Sequence, residues 1–519
     1  MLGVSKRKIG HLTSDNHVIW MLDGVSVCPF ARSDSHLRPE QIETVLEQRK
    51  MVEEQLSTPY FYFSTTLDVT NCLQKLDGLI ENNAKGYFVL GTASRSFTWN
   101  YFMLHSGGFV QDKDFHPWCI ALVHGAVFIN ECSLNGKLFR WSILSRRSTR
   151  RAGTRFFRRG CDFQGSVANF VETEQIVEHK DTISSFVQIR GSMPFHWKQS
   201  PTLEYLPKPV VYHHVDHEKS FNLHLEKLVH NYGAQVMVNL INHKKHEGHL
   251  ESQFRQLHKS SPLSNYVDYE PFDFHAECSR LRYDRLSLLL QRVQQRLLQF
   301  GCLSQTRGVV SRLQTGVFRT NCMDSLDRTN VVQSMIAAEN LSQVLREVGI
   351  ISAKIDDEKN GDFFKLFRHV WANHANIIAL QYASSEALKT DITRTGKRTM
   401  TGMLRDLKTA LVRYYKNNFC DGRRQDSIDL VLGHYTVDVF ETKKSNSKII
   451  VFPLAVVVTM SLLLLMALLF TDTTEEFILL LLCVISIGIF SILVLLRHSK
   501  LFVDSPNYCQ FELSDTLKI

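Results

Sequence analysis

Apolar side chains in the first 145 residues of this chain fall mostly in short runs. Runs such as Tyr60–Thr66 and Ile120–Ile129 are rich in aromatic and β-branched residues, a composition that favours β-strands. Helical spacing is sparser there, and Pro39–Leu56 is its best example. We therefore predict a β-rich N-terminal part over residues 1–145.

Strand and helix patterns mix from residue 146 to residue 440. Predicted strands include Asn169–Val177 and Val236–Ile241. Helical periodicity is clearer further on, and it predicts three helices, at Leu281–Phe300, Val331–Val348 and Phe363–Tyr382. This mixture indicates an α/β catalytic domain over residues 146–440.

Two uncharged hydrophobic runs stand near the C-terminus, over residues 449–470 and 477–496. As helices they are about 33 and 30 Å long, enough to cross the hydrocarbon core of a bilayer. Basic residues flank the pair on both outer sides, whereas the connector between the runs has none. The positive-inside rule then places both flanks in the cytosol. We predict a polar stalk over 441–448, a transmembrane helical hairpin, and a cytosolic tail over 497–519.

Composition narrows the class of protein and its compartment. Apolar residues make up 44% and charged residues 22% of the 519 residues, which excludes a disordered or collagen-like chain. The net charge of +8 suits anionic partners such as phosphate groups or acidic lipids, and it is too small to indicate nucleic-acid binding. The eleven cysteines are scattered and include no Cys-x-x-Cys pair, which favours a reduced, cytosolic setting and argues against structural zinc.

The strongest candidate for chemistry is the segment Arg319–Asn330, which reads RTNCMDSLDRTN. It combines Cys322 and Arg328 in C-x5-R spacing, with an apolar stretch before the loop and a helix-like run after it. In a strand–loop–helix arrangement, loop N–H groups and the helix N-terminus converge on a phosphate. The loop residues expected to surround that phosphate are Met323, Asp324, Ser325, Leu326, Asp327 and Thr329.

Each residue type at this spacing has a chemical use. The loop brings the Cys322 sulfur to phosphorus, while Arg328 makes bidentate contacts with two phosphate oxygens that a lysine cannot make. The same positive field favours the thiolate form of the nucleophile. Thr329 is a candidate to hydrogen-bond the thiolate, and Asp324 or Asp327 is a candidate to protonate the leaving alkoxide.

Arg319–Asn330 closely resembles the catalytic signature of the Sac-domain phosphoinositide phosphatases, R-x-N-C-x-D-x-L-D-R-T-N. Further stretches are similar to blocks of that family, namely Ser145–Arg147, Arg151–Gly160, Asn169–Gln175, Ser185–Pro194, Leu388–Asp391, Thr393–Thr399, Arg413–Phe419 and Gln425–Leu430. The resemblance extends from around residue 55 to the end of the chain. With the hydrophobic hairpin, it is greatest to the two-span members of the endoplasmic reticulum and Golgi membranes.

The resemblance implies a fold, an activity and roles for the site residues. The fold is an α/β catalytic domain of the cysteine-based phosphatase type, preceded by a β-rich N-terminal domain that is truncated here and followed by the transmembrane hairpin. The activity is hydrolysis of phosphatidylinositol 4-phosphate, and often of the 3-phosphate, through a phosphocysteine intermediate, without metal or cofactor. Cys322 is then the nucleophile, Arg328 the phosphate clamp and Asp324 the first candidate for the acid, with Asp327 structural.

Other interpretations of the same features have less support. Six histidines stand at helical spacing but without a metal-site context such as H-E-x-x-H, so no metal site is predicted; they are His213, His214, His217, His243, His246 and His249. The basic run Arg146–Arg159 lacks interleaved stacking motifs for nucleic acid. A protein phosphotyrosine phosphatase shares only the C-x5-R chemistry. A catalytically silent phosphoinositide-binding tether is disfavoured by the intact Cys322, Asp324 and Arg328.

Overall fold

A computed structural model describes most of the chain, namely residues 2–13, 17–28, 35–82, 89–106, 108, 110–278, 285–352, 361–395, 398–435, 458–465 and 474–508. The strands are β1 Leu2–Leu12, β2 His17–Val27, β3 Phe61–Phe63, β4 Val123–Leu134, β5 Lys137–Arg147, β6 Val171–His179, β7 Thr182–Arg190, β8 Trp197–Lys198, β9 Val210–Val211, β10 Ala234–Asn239, β11 Val267–Pro271, β12 Leu303–Thr306, β13 Val309–Arg312 and β14 Gly316–Asn321. The helices are α1 Pro39–Leu56, α2 Leu73–Asn82, α3 Tyr101–Ser106, α4 His217–Tyr232, α5 Lys245–Ser260, α6 Phe274–Glu277, α7 Leu286–Phe300, α8 Asp327–Glu347, α9 Gly361–Ala383, α10 Thr390–Thr395, α11 Met400–Phe419, α12 Asp421–Leu432 and α13 Thr474–Arg497.

One sheet of twelve strands runs from the N-terminal part into the catalytic part. Its main path is β1-β2-β3-β4-β5-β6-β7-β14-β10-β11. Every pair from β1 to β7 is antiparallel, whereas β7, β14, β10 and β11 pair in parallel. The strand β7 is therefore the junction, since its Ile189 and Arg190 pair with Arg319 and Thr320 of β14. Strand β5 crosses the predicted boundary at residues 145 and 146, so the two parts share one sheet.

Most of the predicted elements are confirmed, with shifts at their ends. Helix α1 covers Pro39–Leu56 as predicted, with proline in its first turn, where no intrahelical N–H bond is lost. The predicted strand at Tyr60–Thr66 is shorter, because the Ser64 hydroxyl accepts bonds from the backbone N–H groups of Thr66 and Leu67 and turns the chain. Helix α7 begins at Leu286. The first residues of its predicted range, 281–284, lie outside the described residues.

The C-terminal predictions fall partly on described residues. The stalk over 441–448 lies outside them, as does most of the first hydrophobic run, of which residues 458–465 are helical. Helix α13 includes the whole second run. Within the described part of the chain, the structure shows no helix long and apolar enough to span a membrane. After α13, the tail returns to α12, where the backbone N–H of Asn507 donates to Asp426 at 2.8 Å.

The core between β14 and α8 sets the position of the loop that joins them. Phe318 of β14 and Ile336 of α8 are fully buried in the same apolar cluster, together with Val238 of β10. Burial of side chains of this size contributes about 1.5–3 kcal/mol each. The end of the strand and the start of the helix are consequently held close together, and the intervening segment Cys322–Leu326 has little freedom.

Candidate functional site

The predicted strand–loop–helix around Cys322 is confirmed. Strand β14 ends at Asn321, and α8 begins at Asp327. Cys322 is the first residue after the strand, and it is 3% exposed. Since β14 lies between β7 and β10 in the parallel part of the sheet, the loop leaves the carboxyl edge of the strands, where open α/β sheets bind their ligands.

Contacts from neighbouring segments hold the backbone of the loop. Ser325 has a left-handed backbone (φ 51°), and its hydroxyl donates to the carbonyl oxygen of Gly191 at 2.7 Å. The Asn169 side-chain amide donates to the carbonyl oxygen of Asp324 at 3.1 Å. An Arg159 N–H donates to the carbonyl oxygen of Met323 at 3.2 Å. These hydrogen bonds hold the loop in one conformation, so it does not need a ligand to order it.

Asp324 lies between two arginines from the segment before β6. Its carboxylate forms one ion pair with Arg155 at 2.8 Å and another with Arg159 at 2.6 Å. Burial by itself raises the pKa of Asp324, but the charges of Arg155 and Arg159 outweigh it and hold that pKa well below its ordinary value. Asp324 is ionised in this arrangement, so the predicted role of Asp324 as proton donor does not fit the geometry.

Arg328 is paired with a carboxylate that the sequence did not single out. Its two terminal nitrogens contact the two carboxylate oxygens of Glu247 on α5, at 3.0 and 3.1 Å, and one of them also donates to the carbonyl oxygen of Leu240 at 2.9 Å. Burial lowers the pKa of the Arg328 guanidinium, but the neighbouring Cys322 and Glu247 raise it above its ordinary value. The guanidinium is thus a permanent, oriented cation beside Cys322.

Two buried side chains, one at the start of α8 and one at the end of β7, have unused hydrogen-bonding capacity. Thr329 is fully buried, and its hydroxyl has no hydrogen-bond partner among the described residues. Arg190, at the end of β7, donates to the Asn330 side chain at 3.3 Å, while its Nε and Nη1 find no partner within the described residues. Burial lowers the pKa of Arg190 to about 9, and nearby Cys322 acts in the opposite direction. Such orphaned donors are costly in a dry interior, which fits a site that receives an anion.

A cavity of about 340 Å³ opens beside the loop. Met323, Asp324, Asp327 and Arg328 line it, so part of the predicted loop forms its wall. Cys322, Ser325, Leu326 and Thr329 are buried behind this lining and do not contribute to the wall. Each arginine of the lining has a carboxylate within ion-pair distance. The pairs are Arg155–Asp324 at 2.8 Å, Arg328–Glu247 at 3.0 Å and Arg413–Asp327 at 3.6 Å.

Because each arginine of the cavity wall is paired with a carboxylate, the wall is suited to exchanging that carboxylate for another anion. A phosphate group that enters the cavity can take over hydrogen bonds that a carboxylate now accepts, so the guanidinium groups stay oriented and solvated throughout. The described residues contain no group of three or more His, Cys, Asp or Glu side chains placed to hold a metal ion. A strand, a phosphate-type loop with its cysteine and arginine, and a helix N-terminus together define an α/β protein that handles phosphate groups.

The comparisons with known proteins agree with this class. Residues 1–279 match the SacI homology domain. Phosphatidylinositol-3-phosphatase SAC1 of Drosophila melanogaster is 46% identical over 424 residues, which cover 81% of this chain and 70% of that protein. SAC1-B of Danio rerio, another phosphatidylinositol-3-phosphatase, is 38% identical over 516 residues, 98% of this chain and 87% of that protein. Phosphoinositide phosphatase SAC7 of Arabidopsis thaliana is 35% identical over 424 residues, 82% and 70% of the two chains. The chain belongs to the SacI homology domain family.

Sequence reasoning missed the residues that surround the loop from other elements. Arg155, Arg159 and Arg190 belong to stretches that are similar to family blocks, but the sequence by itself indicates no role for them. Glu247 belongs to the histidine-rich stretch that includes His243, His246 and His249, for which the sequence predicts no metal site. Its signal was weak, because a single glutamate on a polar helix is indistinguishable from a surface residue until the fold brings it to Arg328.

Proposed function

We propose that this protein hydrolyses phosphatidylinositol 4-phosphate, and also the 3-phosphate, to phosphatidylinositol through a phosphocysteine intermediate. The chain is a phosphoinositide phosphatase, a phosphoric monoester hydrolase, as its relatives are named. The observation that carries the mechanism is the loop Cys322–Arg328 at the end of β14, with Arg328 and Asp327 on the wall of a cavity that can admit a headgroup. Activity toward the 3-phosphate is supported by the names of the animal relatives.

The mechanism uses this chain's own residues in two steps. The Cys322 thiolate attacks phosphorus, a sulfur–phosphorus bond forms, and the bond to the inositol oxygen breaks. The leaving oxygen takes a proton from Asp327, the other loop carboxylate on the cavity wall, and Arg328 stabilises charge on the phosphate oxygens. Water then attacks phosphorus and gives a proton back to the same carboxylate, and the sulfur–phosphorus bond breaks, which releases inorganic phosphate and restores the thiolate. The buried donors of Thr329 and Arg190, which have no partner among the described residues, are available to stabilise the thiolate, and Arg190 is near enough for the charge of Cys322 to act on it.

The test of the proposed function is a panel assay on the purified full chain. We expect it to release phosphate from phosphatidylinositol 4-phosphate and 3-phosphate, with the bisphosphorylated lipids as comparison substrates. Phosphotyrosine peptides are the control, because a protein phosphatase shares the C-x5-R chemistry. Hydrolysis of the peptides alone, or of none of the lipids, would overturn the proposal.

We predict that Asp324→Asn lowers turnover at least about tenfold with every substrate, because Arg155 and Arg159 lose the carboxylate that orients them. Asp327→Asn is the matched variant, since Asp327 is the other loop carboxylate that lines the cavity. The measurement is kcat on the lipid and on 4-nitrophenyl phosphate, whose leaving group needs no proton. If Asp324→Asn loses activity on the lipid alone, then Asp324 is the proton donor after all.

We also propose that residues 449–470 and 477–496 form a transmembrane hairpin in the membranes of the endoplasmic reticulum and Golgi, with the catalytic domain in the cytosol. Large apolar side chains of α13, such as Leu479, Phe490 and Leu493, are more than half exposed, which is costly in water. The tail contact between Asn507 and Asp426 brings the end of α13 back to the catalytic part, as a hairpin requires. Release of the chain from membranes by alkaline carbonate would contradict this proposal.

A further inference from the structure

Helix α11 has a stripe of exposed apolar side chains. Met400, Leu404, Leu407, Leu411 and Tyr415 follow one another at intervals of three or four residues, so they share one face of the helix. They are between 59 and 71% exposed. Soluble proteins rarely leave a contiguous apolar surface of this kind in water unless it binds something.

The opposite face of α11 is firmly packed, so the stripe is not a sign of a detached helix. The Arg413 guanidinium donates to the Ser385 hydroxyl at 2.8 Å and to the carbonyl oxygen of Glu386 at 2.7 Å. The Asn417 side chain donates to the carbonyl oxygen of Ala383 at 2.9 Å. The stripe is therefore held outward in a fixed orientation relative to the loop of Cys322.

The helix that carries the stripe also forms part of the cavity wall. Arg413, Tyr414 and other residues of α11 line that cavity. Across the mouth, Tyr205 and Leu206 also line it, and both are 66% exposed. The Tyr414 hydroxyl donates to the carbonyl oxygen of Leu203 at 2.8 Å and joins the two sides. Apolar side chains consequently project on both sides of the entrance to the site.

The positive charge of α11 indicates which kind of surface the apolar stripe binds. Lys408 and Lys416 are exposed on the same helix, and each directly follows a residue of the stripe in the sequence. Exposed apolar side chains bordered by lysine are typical of a helix that lies in the interface of a bilayer containing anionic lipid. A lipid headgroup also stands only a short distance above the acyl chains, so the mouth of a site for that headgroup has to meet the bilayer.

We propose that α11, together with the Tyr205–Leu206 segment, is a bilayer-docking surface that places the cavity mouth on the membrane carrying the substrate. The apolar stripe enters the headgroup region, and Lys408 and Lys416 lie against anionic lipid. This inference rests on the proposed function, because it assigns the substrate to a membrane. A second copy of the chain, or a partner protein, on the same face is the alternative that the experiment has to separate.

The first experiment compares a membrane substrate with a soluble one. The double variant Leu404→Gln with Leu411→Gln is reconstituted as the full chain in phosphatidylcholine–phosphatidylserine vesicles that contain phosphatidylinositol 4-phosphate. We expect its turnover to fall about tenfold or more. Turnover of a dibutanoyl analogue, which dissolves as a monomer, is expected to stay at the wild-type rate. The matched control is Leu138→Gln with Leu298→Gln, two exposed leucines outside α11 that are expected to change neither rate.

The second experiment measures docking of α11 on the bilayer independently of enzyme activity. Leu407→Trp in the full chain places a fluorophore on the stripe, and Leu298→Trp is its control. We expect lipids with brominated chains to quench the added emission of the first variant and not that of the second. No extra quenching would overturn the proposal, whether a second copy or a partner protein covers the face. Equal loss on both substrates in the first experiment would overturn it too, whereas a wild-type chain inactive on both contradicts the proposed function instead.

Discussion

Cys322→Ser is expected to lower turnover of phosphatidylinositol 4-phosphate by about a thousandfold or more. A serine hydroxyl stays protonated at neutral pH, so the phosphocysteine route loses its nucleophile while the shape of the loop is kept. The measurement is phosphate release under single-turnover conditions. Mass spectrometry of acid-quenched protein gives a second reading, since phosphate should be found on Cys322 of the wild-type chain only.

A matched control separates loss of chemistry from loss of stability. Cys302 is also buried, and it lies at the end of α7, away from the cavity. Replacing a buried thiol by a hydroxyl costs about 1–3 kcal/mol at either position, so Cys302→Ser should melt like Cys322→Ser but turn over substrate like the wild type. Equal losses of activity in the two variants would mean that the thiol of Cys322 has no special role.

Arg328→Lys is expected to reduce kcat/KM by about a hundredfold, although the positive charge is kept. Arg328 contacts both oxygens of Glu247, and the same planar fork is what two phosphate oxygens require. The ammonium group of lysine is not planar and cannot contact two phosphate oxygens in this bidentate way. Kinetics on the lipid substrate measure the loss, and inhibition by inorganic phosphate should weaken in parallel because the clamp binds phosphate directly.

The control for Arg328→Lys is an arginine with the same local geometry elsewhere. Arg312 forms a two-point contact with Glu347, at 2.7 and 3.1 Å, far along the sheet from the loop. Arg312→Lys should therefore lose a similar ion pair without any change in kcat/KM. A wild-type rate in Arg328→Lys would exclude Arg328 as the phosphate clamp.

What could be predicted from the sequence is what depends on neighbours along the chain. Cys322 and Arg328 belong to one loop between a strand and a helix, so spacing and hydrophobic pattern suffice to place them. The sequence predicts helix α1 over its full length for the same reason, since its periodicity is local. The limits of β3 depended on hydroxyl contacts of Ser64 that no periodicity reveals.

The remainder of the site comes from distant parts of the chain. Glu247 reaches Arg328 across 81 positions, and Arg155 reaches Asp324 across 169. The function proposed for Asp324 changes with that contact, because a carboxylate between two guanidinium groups remains ionised. No single stretch of sequence contains the information that brings these partners together.

The junction at β7 has a consequence for how the protein can be divided. Strand β7 completes the antiparallel half and is also the direct neighbour of β14, whose end carries Cys322. Removing residues 1–190 would strip that neighbour from β14 and expose its backbone N–H and C=O groups. Residues 1–190 are therefore not a detachable module, and a chain cut at this point is not a minimal enzyme. Heating should melt the antiparallel and the parallel parts of the sheet in one cooperative transition. Damage to the first strands would then reach the catalytic loop through the sheet itself.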